Sequence, residues 1–196
     1  MDIRSVATLA MFVLPLLAAP LPTLLDGRRV PGYNTVKSRM NECQPCKNFV
    51  QSARPRPLPF ESIRFWRYYE NIGSIAFSDH PNVYLAPKFF WLTQKPPSVS
   101  QLSDLAGFKN YFGLRRDIDP ETLAAVSLLH EYLHHVGLIP DDGNCPATNY
   151  LVTLAVLTHC FPEYLDPAAA RKAEQEFRAM CKCQGRAKQH CNLVEK

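Results

Sequence analysis

Residues 119–137 read Asp119-Pro-Glu-Thr-Leu-Ala-Ala-Val-Ser-Leu-Leu-His-Glu-Tyr-Leu-His-His-Val-Gly137. Asp119 is suited to cap a helix, and Pro120 fits its first position. Glu121 then sets negative charge at the positive end of the dipole. Leu123, Val126, Leu129, Leu133 and Val136 recur at helical spacing, and Gly137 suits the left-handed residue after the last turn. The pattern predicts a helix from Pro120 to Val136. His130 and His134 lie one turn apart on the stripe of Leu123 and Ser127, so two imidazoles can reach one ion. Glu131 follows His130 directly, where its carboxylate can take the proton of a metal-bound water.

This segment resembles the active-site helix of the zincins, the zinc metallopeptidases with an H-E-x-x-H motif. The resemblance implies a Zn2+ cofactor held by His130 and His134, with Glu131 as general base. The match runs on through Gly137 into the longer metzincin pattern and then fails, because Pro140 stands where a third His belongs. A carboxylate from the following turn, Asp141 or Asp142, is the leading expectation for the third ligand, with Asp141 placed first. The same four residues, Asp141-Asp142-Gly143-Asn144, also have the composition of a solvated turn. A ligand from a later element is the competitor. Pro146 to Cys160 reads as a buried second helix with His159 near its end and Glu163 beyond it. His135 is rotated about 100° from His134 and points elsewhere.

The first 25 residues read as a signal peptide or N-terminal anchor: Arg4 precedes Ser5–Leu25, which carries no charge. Either outcome places the histidine helix outside the cytoplasm, in a secreted, periplasmic or cell-envelope setting. About 170 residues remain, enough for one domain with a core. Residues 26–59 read as a Pro- and Cys-containing extension, 60–183 as the catalytic domain and 184–196 as a polar tail. Net charge is +4, from 22 basic and 18 acidic residues, with no basic stripe interleaved by aromatics, so nucleic acid is not the expected partner.

Seven cysteines in an exported chain point to disulfides. Helical geometry separates Cys145 from Cys160 by about 20 Å, against a limit of roughly 7 Å, so each pairs elsewhere. Cys43, Cys46, Cys181 and Cys183 form an alternative structural zinc set.

Phe60 to Glu70 is expected to be helical, with Ser74–Phe77 and Val83–Phe90 as strands. Ser98 to Phe112 reads as a helix ended by Gly113, and Asp166-Pro167 opens the last helix, to about Cys181. The expected fold is α+β, a zincin-like domain with a small sheet and a central H-E-x-x-H helix. The expected function is an exported zinc-dependent hydrolase acting on peptides or proteins. The alternative is a non-enzymatic, disulfide-stapled secreted or envelope binding protein, in which the His-Glu-Tyr-Leu-His helix is structural. Tyr150 is a candidate to stabilise an oxyanion.

Overall fold

The computed structural model describes residues 20–52, 59–70, 74–79, 81–136 and 146–181, the last helix and the one before it without the side chains of 146–148 and 181. Strand β1 (Thr23–Leu24) leads into helices α1 (Tyr33–Glu42) and α2 (Gln44–Gln51). Strands β2 (Arg64–Arg67), β3 (Ala76–Asp79) and β4 (Asn82–Leu85) follow. Helices α3 (Pro87–Leu92), α4 (Val99–Phe112), α5 (Pro120–His135), α6 (Pro146–Cys160) and α7 (Pro167–Cys181) come next. Among the described residues the result is an α+β arrangement of several helices with one four-stranded sheet.

The sheet runs in the order β1-β2-β4-β3. β2 and β4 pair in parallel, with Phe65 opposite Val83, while β3 and β4 form an antiparallel hairpin with Asp79 opposite Asn82. Phe65, Val83 and Leu85 are buried on the inner face. Leu24, Trp66, Tyr84 and Phe77 stand side by side across the four strands on the other face.

Two expectations are corrected here. Phe60–Glu70 is not a helix: a 3-10 turn at Phe60–Ser62 gives way to β2. Ile63 and Phe65 are buried and Arg64 is exposed, a period of two, and pairing with β4 outweighs the helical spacing of the aromatics. The second strand also stops at Leu85. Pro87 has no N–H for a ladder and a φ suited to a helix start, so it opens α3 instead.

α5 is the hub. Asp119 caps it, its carboxylate accepting from the Thr122 amide at 2.9 Å, and the helix ends at His135 with Val136 as its cap residue. Leu123 to Val126, Leu128, Leu129, Tyr132 and Leu133 are all buried, because α1, α3, α6 and β3 surround it. A helix apolar on nearly every side belongs inside a fold. Its neighbour α6 is the same: Leu151, Val152 and the run Leu154–Leu157 are buried.

Residues 26–59, expected as an extension, supply α1 and α2 to this core. α1 is mostly polar and buries only Tyr33 and Val36, so its place is fixed by contacts with α5. Gly32, at φ 82°, lies so close to α5 that a Cβ there would meet the Ala125 amide nitrogen at 2.4 Å. Its amide donates to Glu121 Oε1 at 2.9 Å, and the Thr35 hydroxyl donates to the same oxygen at 3.2 Å.

α2 is bolted to α6 by the Cys46–Cys160 disulfide, which joins residues 114 apart in sequence. This bond removes Cys46 from the alternative zinc set of cysteines. Cys160 pairs away from Cys145, as the length of α6 requires. Cys43 is the free thiol among the described residues, donating to the His159 carbonyl at 3.6 Å. Ser98 caps α4 in a box with Gln101, and Gly113 ends it in the left-handed conformation. Among the described residues no helix is long and apolar enough to cross a membrane.

Candidate metal centre

The last two turns of α5 bring the two histidines of the motif together. Their Nε2 atoms lie 3.2 Å apart, with ring centroids separated by 5.0 Å and ring planes at 63°. Two nitrogens bound to one tetrahedral zinc at about 2.0–2.1 Å stand about 3.3 Å from each other. The pair therefore already has the bite of such an ion, as the i, i+4 spacing anticipates.

The neighbouring helix supplies a hydrogen-bond partner for His130. Thr153 Oγ1 on α6 lies 2.9 Å from His130 Nδ1 and 3.1 Å from the Asn149 carbonyl oxygen. When the hydroxyl gives its one hydrogen to that carbonyl, it accepts from Nδ1–H, and the Nε2 lone pair is left facing His134. A hydroxyl acceptor behind a ring nitrogen orients an imidazole for ligation in the way that carbonyls and carboxylates do.

Burial pushes the His130 imidazole down to about 3, with the neighbouring His134 adding to the effect. An unfolded His titrates near its ordinary value of 6.5. Between these values the unfolded chain binds the extra proton, so His130 makes the metal-free protein gain stability as pH rises from about 3 to 6.5 and level off above. Urea unfolding across pH 4–7 is expected to show this rise, and His130→Gln to flatten it; an equal slope in both proteins would contradict the assignment.

Glu131 is buried, at 7% exposure, one position round the helix from His130. The base of the helix is held by a polar knot. The Thr122 hydroxyl donates to Asp119 Oδ2 at 2.6 Å and the Tyr164 hydroxyl does so at 2.7 Å. Burial raises the Asp119 carboxyl, but these hydrogen bonds outweigh it and hold it below the usual range.

Asp141 and Asp142, expected to complete the site, lie outside the described residues, as does Gly137. Among the described residues no third His, Cys, Asp or Glu joins the pair. The competitors have other neighbours in the fold. His159 stacks on Phe49 of α2 at 4.3 Å and 17°, and burial lowers its imidazole. Glu163 is ion-paired with Arg39 of α1. Tyr150 packs edge-on against Tyr111 at 4.7 Å and at a tilt of 38° against Phe177 at 5.3 Å. Burial, reinforced by a hydrogen bond to Tyr150, pushes the Tyr111 phenol up to about 12.

Thr153 was not among the expected residues. Its one signal in sequence is a hydroxyl amid the apolar run Leu151-Val152 and Leu154–Leu157, which marks a position needing a partner. Which face of α6 meets α5 follows from the crossing of the two helices, and no spacing within either predicts it.

Compared with protein-family models, curated proteins and solved structures, the chain matches none.

Proposed function

We infer that the chain is an exported, zinc-dependent hydrolase of the zincin type, acting on peptide bonds. The observation that carries this reading is the 3.2 Å approach of the two Nε2 atoms on an H-E-x-x-H helix. The Thr153 hydroxyl behind His130 Nδ1 supports it, since a hydroxyl that accepts there leaves the Nε2 lone pair for ligation. His130 and His134 would hold Zn2+ together with a carboxylate, Asp141 being the leading choice. Bound there, zinc supplies Lewis-acid polarisation of a carbonyl and makes water a nucleophile near neutral pH. Glu131 takes the proton from the attacking water and passes it to the leaving amine. β3, the last strand of the sheet among the described residues, packs on α5, and its outer edge suits an extended peptide. The uncharged leader and the Cys46–Cys160 bond favour export.

A second reading has one observation in its favour: 3.2 Å is also a hydrogen-bond distance between two imidazoles. In that reading the protein is a non-enzymatic, disulfide-stapled binding protein and the pair is a core contact. Zinc affinity and hydrolysis of a quenched-fluorescent peptide library by the zinc-loaded protein test the two together. Tight zinc and cleavage support the hydrolase, whereas neither supports the core contact. Within the first reading, Thr153→Val is expected to weaken zinc about 10–100-fold and Thr153→Ser to restore it. A chelator-competition titration checks this, and unchanged affinity in Thr153→Val would remove Thr153 from the site.

A further inference from the structure

A cavity of about 330 Å3 opens between α3, α4, α5 and α6, walled by Ile75, Leu92, Phe108 and Tyr111 and floored by Leu123 and Tyr150. That is near the lower end of ligand pockets, sized for one bulky side chain rather than an extended ligand. Its rim carries an ion pair, Lys88 Nζ to Asp104 Oδ2 at 3.8 Å, so the polar groups neutralise each other and the interior remains apolar.

The cavity floor and the histidine pair share one face of α5. Leu123, Ser127, His130 and His134 form a single stripe, with half-buried Ser127 between floor and imidazoles. Seven residues of helix separate Leu123 from His130, about 10 Å, or about three residues of extended peptide. On α6, Tyr150 of the floor stands one turn before Thr153, which contacts His130.

Gly107 borders the cavity at its exposed edge. It lies mid-way along α4, where glycine is the residue a helix least tolerates after proline. A Cβ built there meets nothing within 4 Å, so no close packing accounts for its missing side chain. The open space at its Cβ position adjoins the cavity.

We propose that this cavity is a substrate subsite, receiving an aromatic or long aliphatic side chain of an extended peptide about three residues from the bond held at His130 and His134, with Gly107 as the width-determining residue. The placement rests on the hydrolase reading; the apolar site itself does not. The aromatic wall favours a ring over an aliphatic chain, through edge-to-face contacts of the kind Tyr111 and Tyr150 already make at 76°.

The probe is N-acetyl-phenylalanine methylamide, titrated into the isotope-labelled mature protein and followed at the amides of Gly107 and Leu123 by NMR. Saturable shifts are expected in the parent and equally in His134→Ala. Binding at least about 10-fold weaker is expected in Gly107→Leu, and for the alanine analogue of the probe. Gly107→Leu improves helix propensity, and a Cβ there meets nothing within 4 Å, so the variant is expected to fold and to keep the zinc content of the parent. Absence of saturable shifts, or undiminished binding in Gly107→Leu, overturns the site. With zinc loaded, replacing Phe by Ala three residues from the cleaved bond is expected to lower kcat/KM at least about 10-fold, and Gly107→Leu to erase that difference. Equal cleavage of both peptides by the parent overturns the placement. Probe binding without cleavage of any peptide defeats the hydrolase reading and upholds the apolar site.

Discussion

Glu131→Gln is expected to bind zinc as the parent protein does and to hydrolyse peptides about 10²–10⁴-fold more slowly. The substitution keeps shape and removes the ability to accept a proton, which is the one property the proposed role requires. Glu131 is buried on the same helical turn as His130, so a change of volume there would disturb α5, whereas the amide is nearly isosteric. Zinc content and kcat measured on one preparation separate the two effects. Full activity in Glu131→Gln would sink the role of Glu131, and loss of zinc with activity would make it a structural support of the pair.

Removal of the Cys46–Cys160 bond is the second large effect. The bond closes a loop of 114 residues, for which chain entropy alone gives nearly 5 kcal/mol, and native disulfides in small exported domains contribute about 2–5 kcal/mol. Both sulfurs are buried between α2 and α6, so a paired Cys46→Ala, Cys160→Ala variant also leaves a void in the core. It is expected to unfold at a clearly lower urea concentration with an intact far-ultraviolet spectrum before the transition. A midpoint equal to that of the parent would mean that α2 and α6 are held by packing alone.

How much of this was legible in sequence depends on where each element takes its instructions. α5 carries them locally: Asp119-Pro120 opens it, an apolar period sustains it, and its observed span differs from the expected one by a single residue at the end. α4, α6 and α7 are similar, each with a local start or stop signal. β2 reads as a helix in sequence because Phe65, Tyr68, Tyr69 and Ile72 recur at helical spacing, and the partner that decides for a strand, Val83, lies 18 residues from Phe65. α1 left almost no trace. Its sequence is polar, and Gly32 and Glu121, 89 residues apart, seat it on α5.

The site divides along the same line. The His130–His134 approach follows from spacing on one helix and was readable. Thr153, which backs His130 Nδ1, comes from another helix and was not. Disulfide connectivity was equally hidden: sequence could exclude Cys145 with Cys160 but not select Cys46.

The central claim is that His130 and His134 hold a zinc ion. Elemental mass spectrometry of the purified mature protein beside His134→Ala, both dialysed after zinc reconstitution, tests it most directly. One zinc per parent chain and none in the variant is the predicted result. No metal in either protein would contradict it, and the pair would then be a core contact between two imidazoles.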